Sequence, residues 1–399
     1  MDRFVYADNA ATTPLSPAVL DAMLPFLKDG YGNPSSLYRK GREAKVAVDE
    51  ARAAVAALIG ANEREIIFTG GGSEADNLAI KGYMHSARAR GKHMITTKIE
   101  HHAVLYTAQR LEKEGFAVTY LDVDRFGRVD PEALRAAIRP DTALVSIMAA
   151  NNEIGTVQPL EEIGRICREA GVVFHTDAVQ AVGHIEIDVE RMNIDMLSMA
   201  GHKFNGPKGV GALYLRRGIQ VVPLIDGGGQ ERKLRSGTEN VAGVVGIGQA
   251  AKDAKAHLAA ETERLTRLRK KLIDGVLKIP YTSLTGDPVN RLPGTASFVI
   301  ECIEGESLVL MLDLNGIASS TGSACSTGSL DPSHVLLAIG LPHEIAHGSL
   351  RLTIGTFTTE EDVDYIIETL PKVVERLRAM SPVWDEKVNG AQSQVKMIR

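Results

Sequence analysis

Along this chain short apolar runs alternate with longer amphipathic stretches, and the pattern repeats. Ile66, Ile67 and Phe68 form one such run, and the helical EADNLAIKGYMHSARAR follows. HMITTKIE precedes AVLYTAQRLEKEG, AVTYLDVD precedes DPEALRAAIR, and ALVSIMAA precedes LEEIGRICREAG. Val172 to Phe174 and Ile194 to Met199 continue the series as two more strands. Alternation of this kind predicts an α/β protein with a largely parallel sheet. Ahead of it come a short strand at Phe4 to Tyr6, the polar turn ADNAATTP, and a helix opened by Pro14 and Pro17 that runs to about Leu27. YGNPSS reads as a loop, because the residue before proline disfavours helix. GREAKVAVDEARAAVAALIG then places Val48, Ala51, Val55 and Leu58 on one helical face, with Gly60 as its stop.

The pattern changes after Val241. A long helical region reaches about Lys278, with Leu258, Leu265, Leu268 and Leu272 at helical spacing among many charges, as expected of a helix joining two domains. TASFVIECI reads as a strand with Cys302 inside it, ESLVLMLDLNG as a helix, and ASSTGSACSTGSLDPS as a loop too polar to pack. Arg351 falls in the strand of HEIAHGSLRLTIG. The helix TEEDVDYIIETLPKVVERLRAM closes the pattern, and WDEKVNGAQSQVKMIR reads as a frayed polar tail. The expected division is a large domain over 16–258 and a smaller α+β domain over 1–15 and 259–399, the latter carrying a loop at about 318–333.

Composition narrows the function classes. At 399 residues, 44% hydrophobic and 24% charged, the chain reads as an ordinary globular protein. Its 45 basic and 50 acidic residues give a formal charge of −5 with no long basic run, which disfavours nucleic-acid binding. No apolar run approaches the ~20 residues of a membrane span, and MDRFVYADNAATT has no apolar segment of a secretory signal. Three dispersed cysteines make no disulfide framework, so a cytoplasmic location is expected.

The candidate chemistry gathers where strands end. In a parallel sheet the carboxyl ends of neighbouring strands open on one crevice. Asp177 follows one strand there, and Lys203 follows the next in AGHKFNGPKG. An acid and a lysine so placed suit pyridoxal phosphate: the lysine holds the aldehyde as a Schiff base, and the acid keeps the ring nitrogen protonated. Taken singly, the acid also reads as a cap and the lysine as a surface charge. Gly70, Gly71 and Gly72 run from a strand into a helix that opens with Ser73, a cradle for an anion or simply a capped glycine turn. No Lys-Ser/Thr follows, so a nucleotide is not implied. His101 and His102 lack a Cys or carboxylate at metal-ligand spacing. Asn152 reads as a turn former or a ligand contact. Cys167 falls at a helical apolar position, Cys302 in an apolar strand, and both read as core. Cys325 lies among small polar residues, where an exposed thiol reads as a nucleophile. Arg351 could clamp a carboxylate through two parallel hydrogen bonds.

HTDAVQ, GHKFNGPKG, RSGT and GSACS, with ADNAATTP near one end and RLTIGTFTTEEDVDY near the other, resemble the NifS/IscS-type cysteine desulfurases. The resemblance covers nearly the whole chain. It implies the aspartate-aminotransferase fold: a large domain with a mixed, mostly parallel sheet flanked by helices, and a smaller α+β domain. It also implies conversion of L-cysteine to L-alanine with the sulfur left as a persulfide on Cys325. Under it Lys203 binds the cofactor and moves the Cα proton, Asp177 meets the ring nitrogen, His101 stacks on the ring, and Gln180 touches the phenolic oxygen. Gly72, Ser73, His202 and Thr238 hold the phosphate, Thr238 from the other subunit of a homodimer. Arg351, Asn152 and Asn33 bind substrate, with Asn152 also at the cofactor. The sulfur then passes to an acceptor, expected to be a scaffold protein of the IscU/NifU type. No metal is implied.

One position departs from the family pattern. Ala200 stands where relatives usually carry Ser or Thr, so weaker cofactor retention is expected. Two other enzyme readings remain, a selenocysteine lyase and a small-molecule aminotransferase, though the second needs no thiol. A thiol carrier or iron–sulfur assembly protein is a non-enzymatic reading, for which three scattered cysteines make a poor cluster site. A nicotinamide dehydrogenase is disfavoured, because GIGQAA at Gly246 fails the GxGxxG pattern.

Overall fold

The computed structural model describes residues 3–322, 332–385 and 387. The chain opens with β1 (Val5–Tyr6), α1 (Pro17–Lys28) and α2 (Arg39–Leu58). Ser16 caps α1, its hydroxyl accepting from Val19 N–H, and Pro17 takes a first-turn position where no donor is lost. The alternating part then runs β2 (Ile66–Thr69), α3 (Gly72–Met84), β3 (His93–Thr97), α4 (His102–Lys113), β4 (Ala117–Leu121), α5 (Pro131–Ala137), β5 (Thr142–Ser146), α6 (Leu160–Ala170), β6 (Val173–Asp177), β7 (Met196–Ala200) and β8 (Gly211–Leu215).

Seven of these strands form one sheet in the order β2-β8-β7-β6-β5-β3-β4. Five are parallel neighbours, from β7 through β6, β5 and β3 to β4. Every residue of β3, β5 and β7 is buried, because helices cover both faces, and the polar residues among them are only His, Thr and Ser. β8 reads in the sequence only as a glycine-rich stretch. It inserts between β2 and β7, antiparallel to both, and so makes the sheet mixed. Gly211 permits this, since a Cβ there would lie 2.6 Å from Met199 O and 2.7 Å from the Gly71 carbonyl carbon. Reversal of β8 leaves β2 parallel to β7, so β2, β3, β4, β5, β6 and β7 all end on one edge.

The remainder comprises α7 (Val241–Val276), β9 (Thr282–Leu284), β10 (Thr295–Ile300), α8 (Gly305–Asp313), β11 (Ile317–Ala318), α9 (His334–Ala338), α10 (His343–Ala346), β12 (Ser349–Thr353) and α11 (Glu360–Arg378). β12, β10 and β9 form an antiparallel sheet in that order, and β1 pairs with β11. The 36-residue α7 serves two cores. Val244, Ile247 and Ala250 pack with the large sheet, whereas Leu265, Leu268 and Leu272 pack with Val5, Ala7, Phe298 and Leu352. Each fully buried side chain of this size contributes about 1.5–3 kcal/mol, so the spacing of leucines along α7 is also its anchorage.

Two expectations need correction. β10 ends at Ile300, and Cys302 lies beyond it in a turn with φ +65°, partly exposed rather than in the core. Trp384, taken as the start of a frayed tail, packs over Arg378 at 4.3 Å and against Tyr281 at 5.5 Å. Cys167 is buried as expected.

Candidate active site

The sheet edge on which these strands end opens on a cavity of 310 Å³. Its floor comes from β6 and β7. Asp177 is the last residue of β6, 5% exposed, and its Oδ1 accepts from Val179 N–H at 2.9 Å. Burial pushes this carboxyl above the ordinary range, while His101, the Val179 N–H and Lys203 pull it back. β7 ends at Ala200, and a single helical turn, Gly201–Lys203, carries His202 and Lys203 over the cavity. Lys203 Nζ donates to the carbonyls of Ala10 at 2.5 Å and Ala11 at 2.9 Å. Gln180 Nε2 donates to the same Ala10 carbonyl at 2.9 Å. The polar turn ADNAATTP is therefore a wall of the site rather than a surface loop.

At the end of β2 the chain enters α3 through Gly71, which offers no side-chain cap. Gly72 and Ser73 line the cavity, and a Cβ on Gly72 would meet Val179 Cγ2 at 2.6 Å. The first N–H groups of α3 thus face open space, the arrangement that receives a phosphate at a helix N-terminus. His202 Nδ1 lies 3.1 Å from the Thr12 hydroxyl, and burial, helped by Lys203, holds the ring down at about 4, so it is neutral. His101 caps α4, its Nδ1 accepting from Ala103 N–H at 3.1 Å.

Arg351 enters from β12 and is 3% exposed. Its two Nη groups donate to Asn152 O and Asp8 Oδ1, each at 2.8 Å, while Nε has no partner among the described residues. Asn152 and Arg351 both line the cavity. Beside them Glu153 accepts from Ser333, and a Cβ on Gly322 would lie 3.5 Å from its Oε2. Gly322 and Ser333 flank, in sequence, the segment that holds Cys325, and Cys325 itself lies outside the described residues.

Nine of the expected residues therefore meet at one cavity. Asn33 and Thr238 do not line it. Asn33 Oδ1 accepts from Ser35 N–H at 2.9 Å in its own loop, and Thr238 is exposed after the Gln230–Lys233 turn. The residues present fit pyridoxal phosphate: an uncapped helix start for the phosphate, a buried acid for the ring nitrogen, and a lysine within the same cavity. Sequence reasoning missed Asp8, the Ala10 and Ala11 carbonyls, and the buried Asp76 and Glu100. Their signal lay in ADNAATTP and in acids at otherwise apolar positions, and it becomes chemistry only when distant segments meet.

Comparison with known proteins agrees with this geometry. The aminotransferase class-V family matches residues 5–366. The cysteine desulfurase IscS of Methanosarcina thermophila is 55% identical over 96% of this chain and 95% of its own. That of Dictyoglomus turgidum is 53% identical over 98% and 99%. Among solved structures, a NifS-like protein superposes with a TM-score of 0.89 at 39% identity, over 94% of this chain and all of that one. SspA, solved in complex with cysteine, gives 0.79 at 39% identity over 89% of this chain and all of its own. The chain belongs to the class-V aminotransferase family and, within it, to the cysteine desulfurases.

Proposed function

We propose that the protein is a pyridoxal-phosphate-dependent cysteine desulfurase, which converts L-cysteine to L-alanine and leaves the sulfur as a persulfide on Cys325. The observation that carries this reading is the convergence of Lys203, Asp177 and Arg351 on one cavity whose glycine-lined helix start is uncapped. Gly72, Ser73 and His202 would hold the cofactor phosphate, Asp177 the ring nitrogen, Gln180 and His101 the ring, and Lys203 the aldehyde. When bound, the cofactor supplies an electron sink for the carbanion at the substrate Cα.

The chain's own residues then do the rest. Arg351, oriented by Asp8 and Asn152, takes the substrate carboxylate through a two-pronged contact. Lys203 Nζ removes the Cα proton and returns a proton as alanine forms. In the absence of cofactor the Ala10 and Ala11 carbonyls accept from Lys203 Nζ and keep it over the cavity. The Cys325 thiolate attacks the substrate sulfur, so an S–S bond forms as the Cβ–S bond breaks. Cysteine plus thiol gives alanine plus persulfide, and no outside oxidant or reductant is needed.

A homodimer is part of this reading. Tyr31, Leu37 and Tyr38 are 77%, 89% and 61% exposed around Asn33, a patch whose apolar area favours a partner surface. Thr238 is exposed and does not line the cavity of its own chain, as expected of a residue serving the other subunit. The persulfide is then handed to an acceptor protein of the scaffold type, and the cytoplasm is the expected compartment. The test is incubation with L-cysteine, pyridoxal phosphate and a reductant. Equal amounts of alanine and sulfide support the reading, and ammonia with pyruvate, or no turnover, contradicts it.

A further inference from the structure

A second acid lies under the cavity floor, and the mechanism above makes no use of it. Asp76 follows Gly72 by one turn of α3, is 1% exposed, and lines the same cavity as Asp177. His175 and Asp177 are two apart on β6 and therefore project from one face of the sheet, and Ser198 of β7 pairs with Asp177 across the strands. His175 Nδ1 lies 2.8 Å from the Ser146 hydroxyl and Nε2 3.0 Å from the Ser198 hydroxyl. Asp76 Oδ1 is 3.7 Å from that same Nε2 and has no hydrogen-bond partner among the described residues.

A buried carboxylate needs a cation or several donors, and Asp76 has no cation and a single donor, the Ser198 hydroxyl, which lowers its pKa less than burial raises it. Of the titratable groups around it, His175 is kept neutral, burial holding it at about 3. The other two, Asp177 and Glu100, are acids. The nearby bases, Lys203 and His101, act on Asp177 instead. An acid so enclosed keeps its proton rather than carry an uncompensated charge. We propose that Asp76 is a neutral carboxylic acid in the folded enzyme and a positioning residue for Asp177, holding a proton so that the negative charge beneath the ring nitrogen rests on Asp177. Burial, then repulsion from Asp177, pushes Asp76 well above the ordinary carboxylate range, in line with this assignment. Two buried carboxyl groups that line one cavity and repel each other titrate as a pair.

This proposal rests on the pyridoxal-phosphate reading for its role, though not for the protonation itself. Infrared difference spectra of wild type against Asp76→Asn, each with and without pyridoxal phosphate, read the protonation directly. The carboxylic-acid C=O stretch should be present near neutral pH and lost in the variant. Binding of pyridoxal phosphate reads the role. Asparagine mimics the neutral acid, so Asp76→Asn should retain cofactor within about threefold and keep the pH midpoint of its visible band. Asp76→Ala removes the group and should release cofactor about tenfold more readily, a difference of ~1.4 kcal/mol, with a shifted midpoint. An unchanged infrared spectrum overturns the proposal, because Asp76 would then be ionised. So does a loss of cofactor affinity in Asp76→Asn as large as in Asp177→Asn. If Asp76→Ala does not fold, the two asparagine variants decide. If wild type takes up no pyridoxal phosphate, the function reading fails, while the infrared comparison of the cofactor-free protein still tests the acid.

Discussion

Arg351, which lines the cavity that also holds Lys203 and Asp177, forms an ion pair with Asp8 at 2.8 Å across 343 residues of sequence. The side chain of Arg351 is 4% exposed and that of Asp8 19%, so neither is a screened surface charge. The pair fixes the plane of the guanidinium, and the Asn152 carbonyl fixes its other prong. A carboxylate that binds here meets a fork whose direction is already set. Lysine in its place would keep the charge and lose the fork. Arg351→Lys should therefore raise KM for L-cysteine about tenfold, the loss of one charge-assisted hydrogen bond, with bound cofactor unchanged. Steady-state kinetics and the visible absorbance of the purified variant check this.

Ala200 closes β7 directly behind Gly72, its Cβ 3.7 Å from where a Gly72 Cβ would lie. A hydroxyl there would add a donor at the phosphate end of the cavity. A hydrogen bond to a charged group contributes about 1.5–3 kcal/mol, so Ala200→Ser should hold pyridoxal phosphate at least about tenfold more tightly. Equilibrium dialysis of the two proteins decides it, and equal affinity would remove Ala200 from the account of cofactor retention.

Glu100 gives a dependence on pH. It is fully buried: Oε1 accepts from the Thr97 hydroxyl at 2.7 Å and from Met148 N–H at 3.0 Å, while Oε2 has no partner among the described residues. Burial raises its pKa from 4.5 to about 8. The folded state therefore binds this proton more tightly than the unfolded chain. The stability it contributes is complete below 4.5 and is lost as pH rises toward about 8, at a slope of ~1.4 kcal/mol per pH unit. Glu100→Gln cannot ionise and should lack that slope, so its advantage over wild type in urea unfolding should grow across this window. Parallel pH profiles for the two proteins would contradict the assignment.

The segment that leads to Thr238 contains strain. Glu231, Arg232 and Lys233 have φ of +43°, +57° and +68°, three consecutive non-glycine residues in the left-handed region. The bidentate pair of buried Glu231 with Arg52, at 2.6 and 2.7 Å, holds the run in place. Lys233 is exposed, so Lys233→Gly relieves strain without losing packing and should stabilise by about 1 kcal/mol. Arg52→Ala leaves a buried carboxylate unpaired and should destabilise by about 3–5 kcal/mol. Urea titrations of both variants measure the contrast.

Legibility in the sequence followed the range of the interactions. The buried strands were plain because burial on both faces makes them mostly apolar, as in Ile66 to Phe68 and Ile194 to Met199. The long α7 was plain from its leucine spacing. The placement of Asp177 and Lys203 just where their strands end could be read from local pattern. β8 could not, because Gly211 serves a close approach to Gly71 that only the folded sheet creates. Cys302 was misplaced because apolar character continues past Ile300, where the backbone turns to positive φ. Asp76 and Asp8 stayed hidden for a similar reason: each acts through a partner far away in sequence.

The most direct measurement of the central claim is release of alanine and sulfide from L-cysteine by the wild type and by Cys325→Ala, both loaded with pyridoxal phosphate. The account predicts equal amounts of the two products from wild type and neither from the variant, with the same visible absorbance in both proteins. Full activity in Cys325→Ala would contradict it, since the sulfur would then leave without passing through that thiol.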